Sequence, residues 1–501
     1  MNIITRKLIL SLLALVLFSA STYAHSESYE LVIDVVNLDI ELTPDGVRDL
    51  TSALVINQVF EGLVKLDKDL KVMPDIAKRW TISMDRKHYV FHLNDDVRDS
   101  SGRIVSGDAV KHYYEGMLRK HPDRRWIVGN VEGLDDYLEG RSPVVSGLSA
   151  SGNIFEIRLV EPSNILLMCL ASPLAKIGFK LDGQFIGTGP YRVGSHSDNS
   201  LVLVANESNV NGRRAHFKKI RFIKNDNGSL SEAVYDSSGM ALVQLQLEDE
   251  VARYRRSGST VIRFPNYAVD VLVMNYGTMR DDERVFLLHS TDNKGLTRVS
   301  HMIGVRPVDA LIPMDIPGWK KLSIDRGTGS GKRGRGRERD LRFLISRKIY
   351  ERDPVVIDSI MDAWRKKGIG VRLDMCEHEI YIARLYHNRF DVAYVRYLGD
   401  YPDPDAYYFP FLHSSGQFNF MRYNNRLVDK LLELSRVLEN SRDRIHLYSS
   451  VNKELGRDPV VVPLFSTNVA LAVNPKLDGI SPNGQGIWNI DLSDISIRKK
   501  D

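Results

Sequence analysis

"RFDVAYVRYLGDYPDPDAY", Arg389 to Tyr407, is the stretch on which the reading of this chain turns. Its first half, "FDVAYVRYLG", is rich in β-branched and aromatic residues and reads as a strand. Its second half packs Asp400, Asp403 and Asp405 among tyrosines and prolines. Pro402 and Pro404 fix their own φ and push the preceding residue extended, so 398–411 is expected to be non-helical. A surface turn, a metal loop and the wall of a binding cleft are the three readings. The acids lack the spacing, the mid-loop glycine and the late glutamate of a calcium-binding EF-hand loop. An Asx–Pro turn accounts for Asp403-Pro404-Asp405 but not for Asp400, which directly follows the strand. Open α/β sheets place ligand contacts at strand ends, and partial desolvation by Tyr397 and Tyr401 would strengthen the pull of Asp400 on a cation. On residue chemistry alone an isolated turn acid is equally open.

Working outward, "PVVIDSIMDAWRKKGIGVRLDM" reads as helix, glycine stop and strand, and "EIYIARLYHNRFDVAYVRYLGD" repeats that order. Such alternation predicts an α/β layer with a partly parallel sheet. Downstream, "RLVDKLLELSRVLENSRDRIHLYSSVNKEL" offers two amphipathic helices, then strands at "VVVPLFST" and "VALAVNP". Nearer the start, "YELVIDVV" reads as a strand. In "DLTSALVINQVFEGLVKLD", Leu50, Leu54, Val55, Val59, Phe60 and Leu63 fall on one helical face. Tyr89, Phe91 and Leu93 alternate with His88, Val90 and His92, as in a half-buried strand, and Asp108 opens a helix in "GDAVKHYYEGMLRK". This early part is a compact α+β unit, and glycine-rich turns separate strands between Ser172 and Pro265.

The first 24 residues are a basic start (Arg6, Lys7), an apolar run from Leu8 to Phe18 and a small, polar end, the pattern of a secretory signal cut after Ala24. The apolar run is shorter than the roughly 20 residues a spanning helix needs. No cysteine near the cut offers a lipid anchor, so an exported, soluble protein is expected. Without the leader, 477 of the 501 residues remain, enough for two or three domains. Loss of Arg6 and Lys7 lowers the formal charge from +4 to +2, which argues against a general nucleic-acid binder. Cys169 and Cys376 are read as buried free thiols, since a bond between lobes would restrain a hinge. The basic, glycine-rich "DRGTGSGKRGRGRERD", Asp325 to Asp340, is read as a solvated loop rather than a polyanion site.

Catalytic signatures fail one by one. "GTGSGKRG" has Arg333 where a phosphate loop needs Ser or Thr, and "HEIYI" has Ile382 where a zinc protease needs its second histidine. "GLSASG" lacks the closing glycine of a nucleophile elbow. His88 and His92 share a strand face and read as solvated rather than metal-bound. No metal, no cofactor and no catalytic constellation is assigned.

The chain resembles the solute-binding proteins of bacterial ABC importers, the family 5 extracellular group of oligopeptide, dipeptide and nickel binders. The resemblance spans nearly the whole exported chain in order. It runs through "VFEGLVKLDKDLKVMPDIAKRWTISMDRKHYVFHLNDDVR", "GRIVSGDAV", "FIGTGPYRV", "LVLVANES", "DALIPMDIPGW" and "WRKKGIGVRL". It continues through "RFDVAYVRYLGDYPDPDAY", "FNFMRYNN" and "VVPLFSTNVALAVNPKLDGI". It implies an α/β, two-lobe periplasmic-binding-protein fold of type II, cluster C, with an inserted α+β subdomain and a hinge cleft. The expected division is a signal at 1–24, lobe I at 25–59, 172–266 and 465–501, the inserted subdomain at 60–171 and lobe II at 267–464.

It also implies that Asp400, after the aromatic–x–Gly element Tyr397-Leu398-Gly399, pairs with a peptide's α-ammonium. Tyr397 and Tyr401 would be aromatic walls, and main-chain groups of Asn275 and Tyr276 in "VLVMNYG" would pair with an extended peptide. Arg396 stands near the place from which some members meet the substrate carboxylate, although the spacing is off and Tyr394 stands in that place. After "MNYG" only "ERV" remains of the family's usual helix. The implied function is a monomeric periplasmic receptor that captures short peptides and delivers them to an inner-membrane ABC permease. A non-peptide solute (a nickel chelate, haem or sugar derivative) in the same fold is the alternative. An exported sensory or chaperone-like protein is a third reading.

Overall fold

A computed structural model describes residues 30–35, 37–224, 241–319, 322–325, 340–482, 484 and 486–499. The leader expected at 1–24 and the segment 326–339 of the basic stretch lie outside the described residues. Among those residues no helix is long and apolar enough to cross a membrane.

The β-branched run of β1 (Glu30–Val35) is buried on both faces. In α1 (Leu50–Val59), Asp49 and Ser52 form a capping box, and eight of the ten residues are buried, so the helix is wrapped on nearly every side rather than along one stripe. An antiparallel layer follows from β2 (Ala77–Ile82), β3 (His88–Leu93), β4 (Leu148–Ser151) and β5 (Ile154–Arg158), in the order β2-β3-β5-β4. Its inner face is the expected alternation of Tyr89, Phe91 and Leu93, covered by α2 (Gly107–Lys120) with Ser106 as its N-cap. On the outer face His88 meets Glu156 at 2.8 Å and His92 meets Arg79 at 3.4 Å. No metal-ligating group forms among the described residues.

The chain then forms β6 (Tyr191–Ser197), β7 (Ser200–Ala205), β8 (Lys219–Lys224) and β9 (Ala241–Leu245), with β1 running parallel to both β8 and β9. The strand β10 (Thr260–Met274) leads to β11 (Leu341–Ser346), α3 (Pro354–Lys366), β12 (Val371–Cys376), α4 (His378–Tyr386) and β13 (Val392–Leu398). Three helices, α5 (Asp405–Leu412), α6 (Arg426–Val437) and α7 (Ser441–Arg457), precede β14 (Val461–Val473). The two strands expected at "VVVPLFST" and "VALAVNP" are thus one continuous strand.

The large sheet has the order β6-β7-β8-β1-β9-β14-β10-β13-β11-β12. Its two longest strands, β10 and β14, cross from one half to the other: β14 pairs with β9 at one end, and β10 pairs with β13 at the other. The β10–β14 register breaks between Pro265 and Val269, where Tyr267 adopts a left-handed φ of 45°. Separate apolar cores gather around β1, β2–β5 and β11–β13. This is a two-lobe binding-protein architecture with an inserted antiparallel subdomain. Both cysteines are free; Cys169 is buried, but Cys376, at the end of β12, is only half-buried, which corrects the expectation for it.

The stretch 398–411 is not wholly non-helical, because α5 begins at Asp405 and contains Pro410. Two local devices permit this. Pro404 stands at the helix start, where a missing N–H costs little. Pro410 removes the amide that would bond Ala406, and the Tyr397 hydroxyl donates to that Ala406 carbonyl instead, at 2.8 Å.

Candidate functional site

The parallel strands β11, β12 and β13 end on the same side of the sheet, where such sheets place their ligands. β11 pairs with β13 only at Val392 and Ala393. Further along, β13 keeps β10 on one flank, while among the described residues no strand covers the other. By the alternation of a pleated strand, the N–H and C=O groups of Arg396 and Leu398 point to that open flank. The same alternation puts the Tyr394 carbonyl there, where the Tyr381 hydroxyl donates to it at 2.9 Å.

Three aspartates follow within seven residues of this edge and are treated differently. Asp403 receives two hydrogen bonds from Arg444, at 2.8 and 2.6 Å. Asp405 receives two from Arg436, at 2.7 and 2.9 Å, and one from the Tyr401 hydroxyl. These two buried acids fasten the loop to α6 and α7. Asp400 has no hydrogen bond or ion pair among the described residues. Burial pushes its carboxyl up to about 7, against the pull of the Arg124 guanidinium.

Asp400 and Tyr401 line a cavity of about 1030 Å³ between the inserted subdomain and the α5–α6 pair. Trp126 and Cys169 form its subdomain wall, and Phe409 and His413 stand opposite. Trp126 and Tyr401 approach to 5.7 Å between ring centres. At the rim the backbone of Asn164 donates to the Arg436 carbonyl at 2.8 Å, and Arg86 pairs with Glu439. The two lobes therefore touch around this cavity.

The other residues expected at the site are placed as follows. Gly399 adjoins Asp400 and makes room: a Cβ there would lie 2.4 Å from the Tyr407 ring, whose hydroxyl must pass to donate to Tyr267 at 2.8 Å. Tyr397 turns into the core, edge-on to Tyr407, Phe411 and Phe418, and is not a wall of the cavity. The Arg396 guanidinium donates to Asp270 at 2.8 Å and to Thr467. Asn275 and Tyr276 require a correction. Ala268 lies opposite Leu398 and Met274 opposite Val392, so six residues at about 3.3 Å each set them about 20 Å from the Asp400 end. Their amides already donate, to Asp391 at 2.9 Å and to Met421 at 3.0 Å. The sequence reading missed Arg124, Trp126 and Arg436. Nothing in their local sequence marks them, because their partners lie far along the chain.

Residues 71–306 match the family described as bacterial extracellular solute-binding proteins, family 5 middle region. The chain is 20% identical over 492 residues to the periplasmic murein peptide-binding protein MppA of Escherichia coli, covering 91% of each. It is 21% identical over 499 residues to the oligopeptide-binding protein OppA of Bacillus subtilis, again covering 91% of each. The solved structure of the E. coli murein tripeptide-binding protein MppA superposes with a TM-score of 0.80 at 18% identity, over 95% of this chain and 99% of that one. The chain belongs to the family 5 extracellular solute-binding proteins. Its fold is the two-lobe periplasmic-binding-protein fold, and both family and fold are those of solute-binding proteins of the ABC-importer type, not of enzymes.

Proposed function

We propose that this family 5 solute-binding protein captures short peptides between its lobes and delivers them to an inner-membrane ABC permease. The observation that carries the reading is the Asp400 carboxylate. Among the described residues it stands half-buried and without a hydrogen-bond or ion-pair partner at the end of an open strand edge, while its two neighbours each have an arginine. A peptide α-ammonium supplies the missing countercharge, and a matched pair is needed because either charge alone is costly to bury. The chain of the ligand then adds to β13, bonding the open groups of Arg396 and Leu398. Tyr401 forms the aromatic wall beside the ammonium.

The far end of the ligand has a candidate partner too. Asp270 is fully buried between Arg396 at 2.8 Å and Arg352 at 3.9 Å, two guanidiniums against one carboxylate. Burial and Arg396 lower the Arg352 pKa to about 10, as expected for a cation short of a counterion. A substrate carboxylate would relieve that surplus. The similar proteins named for murein peptide and oligopeptides support the solute class. In this reading the leader at 1–24 directs a monomer to the periplasm, 60–171 is the inserted subdomain of lobe I, and lobe II spans 267–464 between the two crossing strands.

The test is calorimetry with di- to pentapeptide pools, each beside an N-acetylated counterpart, repeated on Asp400→Ala. Binding that acetylation and the substitution each weaken by about 100-fold or more is expected for a buried, charge-assisted pair. Equal binding of free and acetylated peptides would overturn the ammonium role and favour a neutral or chelated solute.

A further inference from the structure

A second cavity, of about 650 Å³, lies away from Asp400, between α2 and the hairpin Phe179–Leu181/Gln184–Ile186. One complete stripe of α2 lines it: Ala109, His112, Tyr113, Gly116, Met117 and Lys120, spaced as one helical face. The opposite face of α2, with Val110, Tyr114 and Leu118, fills the subdomain core. The helix therefore has one face in the subdomain core and a mixed face, with Ala109, Tyr113 and Met117 as its apolar part, along the cavity.

Two features of the lining cost stability in the protein as it stands. Gly116 stands in the helix interior, where glycine is destabilising, yet a Cβ there would meet nothing within 4 Å. Close packing does not require it; it leaves the cavity open. The Tyr113 hydroxyl is buried without a hydrogen-bond partner among the described residues, and such a donor is costly to leave unmade.

The mouth carries charges of both signs, with one cation in excess. Asp99 is held by Arg103 at 2.9 Å, and Asp45 by Lys120 at 3.1 Å. Lys180 has no carboxylate partner among the described residues and rests over the Phe185 ring at 5.5 Å. Phe179, Phe185, Ile104 and Met117 supply an apolar body site, within the size range of small-molecule pockets.

We infer that this cavity is a second ligand site, distinct from the interlobe cleft, for an amphipathic monocarboxylate. Its alkyl or aryl body lies between α2 and the Phe179–Phe185 hairpin, its carboxylate meets Lys180, and the Tyr113 hydroxyl is a donor for it. The inference does not depend on the peptide reading.

Octanoate, with octan-1-ol as the neutral probe of equal length, tests it by calorimetry on the purified protein. Octanoate is expected to bind at least tenfold more tightly than octan-1-ol. Gly116→Leu, which fills the cavity, should abolish octanoate binding without lowering the thermal midpoint. Lys180→Gln, an exposed change that keeps the test alive should the leucine variant misfold, should weaken octanoate at least fivefold and leave octan-1-ol unaffected. Asp400→Ala should bind octanoate like the parent. No heat with millimolar octanoate overturns the inference, as does undiminished binding by Gly116→Leu or Lys180→Gln, or loss of binding in Asp400→Ala.

Discussion

Strands β10 and β13 pair from Ala268–Leu398 to Met274–Val392, and their two ends are finished in opposite ways. At the Met274 end every polar group of Asn275 is used. Its amide donates to Asp391, its side-chain nitrogen to the carbonyls of Asn388 and Phe390 at 3.0 Å each, and its side-chain oxygen accepts from Gly277 at 3.0 Å. At the Leu398 end, among the described residues, one strand flank is open and the carboxylate that follows has no hydrogen-bond or ion-pair partner. Both ends carry family-like motifs, "VLVMNYG" and "YLGD". The difference between them is physical: at one end the chain satisfies its own polar groups, and at the other it leaves them unmatched beside a cavity, where the proposed ligand would complete them.

The largest expected effect separates these ends by pH. Only ionised Asp400 attracts an ammonium, and its carboxyl is pushed up to about 7. Peptide affinity should therefore peak at about pH 7.5 and fall roughly 50-fold by pH 5, about tenfold for each unit well below the pKa. Above pH 8 it should fall again as the peptide amine, near 7.7–8.0, loses its proton. The sign for the ligand-free fold is the reverse. The folded pKa lies above the unfolded value near 3.9, so the contribution of Asp400 is present at low pH and lost as pH rises toward 7. Asp400→Asn should flatten both profiles. A peptide titration that is flat between pH 5 and 8 in the parent protein would remove Asp400 from the site.

Much of the framework was legible because it rests on local periodicity. Tyr89, Phe91 and Leu93 alternate as their burial requires, and the Trp364 helix, its glycine stop and β12 follow in the expected order. The position of Asp400 beyond a strand was legible for the same reason. What was not legible depends on partners distant in the chain. The helix at Asp405 exists because a hydroxyl from Tyr397 replaces an amide that Pro410 lacks, and proline rules alone forbid it. Antiparallel register, which separates Asn275 from Asp400, cannot be read from either motif alone, since each sits correctly at the end of its own strand. The Arg396 guanidinium looks available until Asp270, 126 residues earlier, is placed beside it.

Asn275→Ala is the next largest change, and it sharpens the comparison by acting only on stability. It removes three side-chain hydrogen bonds, one buried and two part-buried, and takes the donor from the carbonyls of Asn388 and Phe390, at a cost of about 2–3 kcal/mol. Denaturant unfolding should show that loss, while peptide affinity stays within about twofold of the parent. A variant of normal stability with weakened binding would return Asn275 to the cleft.

The smallest effect belongs to Tyr397→Phe, which alters the Asp400 end without touching the cavity. The ring stays edge-on to Tyr407, Phe411 and Phe418, so packing is unchanged and only the hydroxyl is lost. That hydroxyl is the donor to Ala406, whose carbonyl cannot be served by Pro410. Removing it should cost about 1–2 kcal/mol, the desolvation penalty of one buried acceptor. The loss should appear as looser hydrogen-exchange protection of α5, because the capped turn lies there. Affinity should hold, since Tyr397 supports the loop from behind and Tyr401 is the one that lines the cavity. A tenfold fall in peptide affinity at unchanged stability would reverse those two roles and make Tyr397 a wall of the cleft.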